Sequence, residues 1–338
     1  MLRRKLLFVG FALLLLLGGC SRNFVKQCTC SYKMMAEEND SSLYIEYIGN
    51  GSVFVNWNNR AFYTDPFLSC PSPTNTLMGS VCTDTALVCR HLPDMSTTKM
   101  VLVGHAHYDH LMDLPYVAHH KLPKDAVIYS NKTAYNIMAA AKLPQQHIVV
   151  NSLAATNQKE GVWQYNTDSS MRILPIVARH LPQFMGMNMY MGTVDEPLEK
   201  LPSKAKDWKN GRNMNYLIDY FTDDGVIAHR IFFQSSADVP PSGWCSSELL
   251  QEKKVDVVLL ALNYNFDSVW RTIDFMLPKL VLLIHWESLF MTRDENCKPR
   301  GQANFKSFFK ALTAHKKNGR WANDVVVEIA EPGAKVWF

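Results

Sequence analysis

The stretch Val101-Leu-Val-Gly-His105-Ala-His107-Tyr-Asp109-His110 is the most informative part of this chain of 338 residues. An apolar run that is typical of a buried strand is followed at once by three histidines and an aspartate. Side chains on an extended chain repeat every two residues, so His105 and His107 are expected to point the same way. If a helix begins next, Asp109 and His110 turn towards a second, nearby point. Imidazoles and a carboxylate suit zinc and related divalent cations, so the stretch predicts ligands for one or two metal ions.

The first 20 residues have the pattern of an export signal. A basic start, Met1-Leu-Arg-Arg-Lys5, precedes the apolar run from Leu6 to Leu17, which is shorter than the roughly 20 residues of a membrane span. The following Leu17-Gly-Gly-Cys20 resembles the lipobox of bacterial lipoproteins, which implies a lipid on Cys20 and anchoring to a membrane surface. An ordinary cleaved signal is the alternative. With Ser21 after the cysteine, we expect an exported lipoprotein of the outer membrane that faces the periplasm.

The rest of the chain is predicted to hold one domain. Residues 21–41 are polar and predict a tether, and residues 42–338 contain no linker, repeat or low-complexity tract. The net charge of +4 is small and dispersed, so the sequence predicts no nucleic-acid partner. An exported protein can form disulfides, and the three cysteines between residues 69 and 90 suggest one there.

The hydrophobic pattern predicts a layered α/β domain. Short apolar runs bounded by turn residues indicate strands, and two segments have helical spacing. Strands in two groups, with helices interspersed, predict an αββα sandwich of two packed mixed β-sheets flanked by helices. The predicted strands span residues 43–48, 52–57, 61–64, 100–104, 126–130, 148–151, 173–177, 216–221, 231–233, 255–262, 280–285 and 325–329, and the helices span residues 132–141 and 305–316.

The histidine motif at residues 105–110, directly after a strand, resembles the signature of the metallo-β-lactamase-fold hydrolases. Other motifs follow the order of that family over roughly residues 43–289. Residues 49–53 and 64–66 resemble the opening of its N-acylphosphatidylethanolamine phospholipase D-like and ascorbate-phosphate lactonase-like branch. His180 and His285, each after a predicted strand, match the family's later metal-ligating histidines.

The resemblance implies a binuclear metal site, zinc most of all, with manganese or iron as alternatives. Asp109 and His110 would take part in catalysis, and a shared water with a lowered pKa would attack the substrate. Asp65 would accept a hydrogen bond from a ligand histidine and orient it. The implied ligands are His105, His107 and His180 for the first ion, and Asp109, His110 and His285 for the second.

Two positions depart from the family pattern. The branch carries a histidine where Asn50 stands, and the bridging aspartate that the family places after a strand aligns with Ser236. A neutral hydroxyl cannot replace a bridging carboxylate, so the second ion is expected to bind more weakly. Three arrangements remain open: a single ion, a bridge formed by Asp238 instead, or a site that has lost catalysis.

The sequence therefore predicts a metal-dependent hydrolase of phosphodiester or phospholipid-like substrates. The membrane anchor, an apolar lip of methionines at residues 185–191 and a lysine-rich lid at residues 195–212 favour a small-molecule or lipid substrate. The same chemistry would also serve a lactonase or another ester or amide hydrolase. The change at Ser236 leaves a non-catalytic metal-binding lipoprotein as a third hypothesis.

Overall fold

The computed structural model describes residues 24–39, 41–180, 188–236, 238, 240–262, 266–295, 298–321 and 325–338. The predicted signal and Cys20 lie outside these residues, as do Met185 and Met187 of the predicted lip. Within the described ranges, no helix combines the length and the apolar content that crossing a membrane requires.

The first half of the chain builds one mixed sheet, here called sheet A. Its strands run in the order β7-β6-β5-β4-β3-β2, followed by the second half of β14, with β1 on the other side of β14. The turn at residues 49–51 joins β2 to β3 as an antiparallel hairpin, and β4 to β7 pair in parallel. These strands are β1 (Cys30–Met34), β2 (Tyr44–Gly49), β3 (Ser52–Trp57), β4 (Arg60–Thr64), β5 (Thr98–Leu102), β6 (Val127–Ser130) and β7 (Gln146–Val149).

The second half builds sheet B. Its order is β14-β13-β12-β11-β10-β9-β8, in which β11 to β14 are parallel and β8 to β11 antiparallel. The parallel strands are buried on both faces, which explains their unbroken apolar sequences. The strands are β8 (Gln164–Tyr165), β9 (Met171–Ala178), β10 (Asn213–Phe221), β11 (Ile227–Gln234), β12 (Val257–Ala261), β13 (Leu280–Ile284) and β14 (Val326–Trp337).

Strand β14 belongs to both sheets. Its first half pairs with β13 and its second half with β2, and Gly333, at a φ of +91°, lies between the two halves. The inner faces of the two sheets meet in one hydrophobic core, to which both contribute. At one end of this core the Tyr216 hydroxyl donates to the carbonyl of Val103 at 2.9 Å, and the Met214 amide donates to the carbonyl of Gly104 at 2.8 Å. These bonds hold the end of β5 against sheet B.

Helices cover both outer faces. Those from α3 to α6 pack on sheet A, whereas α1, α8 and α9 pack on sheet B. This confirms the predicted αββα sandwich, the metallo-β-lactamase fold. The helices are α1 (residues 24–28), α2 (Pro73–Leu77), α3 (Thr85–His91), α4 (Tyr108–Leu111), α5 (Leu114–His120), α6 (Lys132–Met138), α7 (Ser247–Glu252), α8 (Phe266–Met276) and α9 (Gln302–Lys317).

Three local features differ from the pattern expected of the sequence. The segment predicted as a tether contains α1 and β1, because β1 finds a parallel partner in β14. The segment predicted as a lid is packed down, since Ala205 and Trp208 are buried against the helices of sheet A. No disulfide forms between the described cysteines of residues 69–90, and Cys82 and Cys89 are exposed thiols.

Candidate metal centre

The histidine motif changes from strand to helix as its spacing predicts. Strand β5 ends at Leu102, and His107 is the residue that precedes the first turn of α4, with an extended backbone at φ −62° and ψ 154°. Asp109 and His110 lie in that first turn. The result is a short peptide whose four polar side chains are all buried, at 0–4% exposure, at the end of the hydrophobic core.

The first group of ligand atoms comes from His105, His107 and His180. Each residue offers one donor atom, and these atoms lie within 4.8 Å of one another. His105 Nε2 and His107 Nδ1 are 3.0 Å apart, so the two nitrogens converge on one point. His180 lies two residues beyond the end of β9, and its ring is centred 5.0 Å from that of His105. The structure therefore brings together the three residues that the resemblance assigns to the first ion.

The second group consists of Asp109, His110 and His285, whose ligand atoms also lie within 4.8 Å of one another. His110 Nε2 is 3.6 Å from Asp109 Oδ2. His285 follows the last residue of β13 and has a φ of +56°, which turns the chain sharply as it leaves the sheet. The rings of His105 and His110 are centred only 3.9 Å apart, so the two groups adjoin each other.

The Asp65 carboxylate contacts two parts of the histidine motif. Its Oδ2 lies 2.7 Å from His110 Nδ1, and its Oδ1 accepts a hydrogen bond from the Gly104 amide at 2.6 Å. With Nδ1 of His110 engaged, Nε2 is the nitrogen that faces Asp109. Such a contact would orient His110 as a ligand, which is the role that the resemblance implies for Asp65.

Burial and neighbouring charges shift the pKa values of the histidines in different directions. Burial lowers the pKa of His107 to about 3, and it lowers the pKa values of His105 and His285 well below the ordinary value. Burial is also the largest influence on His110 and lowers its pKa, but the charges of Asp65 and Asp109 and the hydrogen bond to Asp65 together outweigh it and raise the pKa of this imidazole. Neutral imidazoles are the form that binds metal ions, so most of these side chains are ready to act as ligands at neutral pH.

The residues present fit divalent cations. Three nitrogens in one group, and two nitrogens with a carboxylate in the other, are the donor sets that zinc and iron accept. His285 Nδ1 is buried and has no hydrogen-bond partner among the described residues. A buried polar atom without a partner is costly, and a cation or a water at this point would satisfy it.

The serines after β11 do not provide a bridging carboxylate. The Ser236 hydroxyl accepts a hydrogen bond from Asn213 Nδ2 at 3.2 Å. Asp238, the alternative bridge, accepts a hydrogen bond from the Arg179 amide at 3.0 Å, and neither group of converging ligand atoms in the described chain includes it. Ser235, which the sequence did not single out, lies closer to the motif, with its hydroxyl 3.4 Å from His105 Nδ1.

Two further residues support His285, and the sequence analysis missed both. The Tyr47 hydroxyl accepts a hydrogen bond from the His285 amide at 2.8 Å and donates one to Glu287 Oε1 at 2.5 Å. Burial raises the pKa of Glu287. The signal available in the sequence was a carboxylate two residues after a predicted ligand, at the end of a buried strand. Tyr47 gave no such signal, because strand pairing alone brings it to this place.

The sequence matches no protein-family model and no curated protein. Solved structures do match. A possible metal-dependent hydrolase from Veillonella parvula has a TM-score of 0.52 and 14% identity, over 88% of this chain and 100% of that one. The isothiocyanate hydrolase from Delia radicum gut bacteria has a TM-score of 0.50 and 14% identity, over 87% and 99%. The diiron β-hydroxylase CmlA from Streptomyces venezuelae has a TM-score of 0.50 and 12% identity, over 90% and 55%. At such identities the likeness shows a shared fold.

Proposed function

We propose that the protein is a metal-dependent hydrolase that activates a water molecule with one or two divalent cations. The observation that carries this proposal is the convergence of six donor side chains, from three separate segments of the chain, on two adjoining points at the end of the core. Five of the six are almost fully buried, and His180 is partly exposed, which leaves an approach on the His180 side. Solved structures of the same fold that are named as hydrolases support the proposal.

The residues around the two points have distinct tasks in such a reaction. A divalent cation held there would polarise the substrate oxygen and lower the pKa of a nearby water. Asp109 presents a carboxylate oxygen that can both bind a cation and accept a proton from that water. Asp65 fixes His110 so that its Nε2 stays directed at the second group. The first group consists of imidazoles without a carboxylate, so its residues place no negative charge beside the substrate.

Phosphodiester or phospholipid-like compounds are the substrates we propose. Arg300 lies beside the centre, where its guanidinium donates a hydrogen bond to the carbonyl of His285 at 2.5 Å, and Arg179, the residue before His180, is exposed. Guanidinium groups at the rim of a metal site favour substrates with a phosphoryl charge, since they pair well with its oxygens. A neutral ester or lactone would gain nothing from them.

The metal content of the purified chain tests the first half of the proposal. Elemental analysis after purification without chelator should find zinc, manganese or iron, and His105→Ala should reduce the amount bound. His120→Ala is the matched control, because His120 is exposed on α5 and should leave the metal content unchanged. Protein that stays metal-free after incubation with all three metals would overturn the proposal.

Turnover tests the second half. The metal-loaded chain should hydrolyse bis(p-nitrophenyl) phosphate, and a variant with Arg179→Gln should show a higher KM for it without a matching loss of metal. Hydrolysis of a lactone or of p-nitrophenyl acetate, with no phosphodiester turnover, would assign the alternative ester or lactone hydrolase instead. Bound metal with no turnover of any of these compounds would favour the non-catalytic hypothesis.

We also propose that the protein is exported and anchored to a membrane through a lipid on Cys20. The support is the sequence Leu17-Gly-Gly-Cys20 after the short apolar run. A lipid anchor would keep the metal centre close to lipid substrates. The outer membrane, on its periplasmic side, is the location we propose.

A further inference from the structure

Helix α9 presents an unusually basic surface on the outside of sheet B. Its 16 residues contain four lysines and no acidic residue. Its apolar side, including Phe305 and Phe308, packs on the sheet, whereas Lys306, Lys310 and Lys317 are exposed. Their spacing of four and seven residues places the three lysines on one side of the helix. We call these three residues the α9 lysines.

The α9 lysines are not neutralised by the surrounding surface. Two acidic residues beside the helix already have partners: Glu328 pairs with Lys33 and Lys316, and Asp274 pairs with Arg320. None of the α9 lysines forms an ion pair with a described residue. The surface therefore keeps a concentrated positive charge, in a chain whose charges are otherwise dispersed.

The start of the described chain rests on this helix. The Phe24 ring packs edge-on against Phe305 and Phe309, with centroids 6.5 and 5.8 Å away, and Lys306 Nζ lies 5.4 Å from the Phe24 centroid. Cys20 is only four residues before Phe24. An extended chain covers at most about 3.6 Å per residue, so a lipid on Cys20 would be joined to Phe24 by a segment that reaches at most about 14 Å.

The segment that follows α1 also lies close to α9. Strand β1 follows α1 and pairs with β14. Lys33 on β1 and Lys316 on α9 both reach Glu328, so the strand and the helix are neighbours. Basic residues beside a partly exposed aromatic ring, as Lys306 lies beside Phe24, are typical of a surface that lies on a lipid interface.

We propose that α9, together with α1, docks onto an anionic lipid bilayer. The proposal depends on the proposed lipid on Cys20 in one respect: the lipid keeps the domain close to the bilayer. The lysines then set the orientation of the domain, since each basic residue close to an anionic surface is attracted to it and a lipid tether alone allows free rotation. This surface is separate from the metal centre and needs no bound metal.

Lysine footprinting on the full chain tests the orientation. The chain is placed in phosphatidylcholine vesicles, or in vesicles that also contain phosphatidylglycerol, and acetylation of each lysine is measured by mass spectrometry. We expect the α9 lysines to be protected about fivefold in the anionic vesicles, and high salt to remove this protection. Lys124 and Lys142, which are exposed on the sheet A side, should react equally in both.

Charge reversal gives the matched comparison. Lys306→Glu with Lys310→Glu should abolish the protection of Lys317, whereas Lys124→Glu with Lys142→Glu, an equal change in net charge, should preserve it. Equal labelling of the α9 lysines in both vesicle types would overturn the proposal. So would protection by a DNA duplex instead of vesicles, or protection that grows with protein concentration in the absence of lipid, which would assign the surface to a second copy. Mass spectrometry of Cys20 tests the anchor independently.

Discussion

Replacing Gly104 with alanine is the sharpest steric test of the metal centre. A Cβ on Gly104 would lie 1.8 Å from the Ser235 hydroxyl oxygen and 2.1 Å from Ser235 Cβ. A change of the serine rotamer moves the hydroxyl but leaves the Cβ in place. Carbon atoms in contact lie roughly 3.5–4.0 Å apart, so the two backbones must separate by roughly 1.5 Å. Gly104 does not have a left-handed backbone, so the cost is steric: it comes mainly from Ser235, with Asp65 Oδ2 a further close neighbour at 3.3 Å.

The expected loss of stability follows from that displacement. Overpacking a core typically costs about 1–3 kcal/mol of stability. Because no change of rotamer can avoid the backbone shift, we expect Gly104→Ala to lie at the upper end of that range, at about 3 kcal/mol. Urea unfolding of the metal-free protein measures it. The same shift would disturb His105 and the hydrogen bond from the Gly104 amide to Asp65, so metal content should fall as well.

The double variant with Ser235→Gly supplies the control. Removing the serine side chain removes both clashing atoms, so the double variant should recover most of the lost stability, with a coupling energy of about 2 kcal/mol or more. Gly104→Ala within about 0.5 kcal/mol of the native protein would refute the reasoning. A double variant no more stable than Gly104→Ala alone would also contradict it, because the clash would then lie elsewhere.

Four other changes test separate parts of the structure. Ser236→Asp should raise metal content towards two ions per chain and increase turnover; calorimetry that finds two equally tight ions in the native protein would refute the weak second site. Asp65→Asn should reduce binding at the second group by about 10–100-fold in a titration, because His110 loses the acceptor that orients it. Cys20→Ala should release the protein from the membrane fraction or leave it unprocessed; an unmodified mature N-terminus elsewhere would contradict lipidation. Burial lowers the pKa of His147 to about 4, so the unfolded chain binds the extra proton between about pH 6.5 and 4, and stability falls as the pH falls through this range. In urea unfolding over this pH range, the free energy of unfolding of the His147→Gln variant should fall by about 1.4 kcal/mol less per pH unit than that of the native protein.

The layers of the fold were predictable because each strand carries its own signal. Val257–Ala261 and Leu280–Ile284 are wholly apolar and proved to be buried parallel strands. The double role of β14 was not predictable, because Pro332 and Gly333 usually end a strand, whereas here they separate the halves that pair with different sheets. Strand β1 was not predictable for a related reason: its residues are mostly exposed, and only its pairing with β14 makes it a strand.

The ligands of the candidate centre were predictable, whereas their supports were mostly not. Histidines at strand ends have few structural reasons to recur, so His180 and His285 could be picked out by position. Ser235 could not, because its place beside His105 results from the packing of sheet B against the end of β5. A sequence pattern identifies which atoms can bind a metal, but the neighbours that fix those atoms come from strands remote in the chain.

The backbone conformation of His285 gives a second reason to expect that its group binds a metal ion more weakly than the first group. A non-glycine residue with a positive φ carries strain of about 1–3 kcal/mol, and His285 persists at +56° because its surroundings impose it. Tyr47 accepts a hydrogen bond from its amide, and Arg300 donates one to its carbonyl. The first group depends less on such restraint, since His105 and His107 are neighbours on one extended segment. A loosening of the sandwich near β13 would therefore release His285 before it separated that pair, independently of the missing bridging carboxylate.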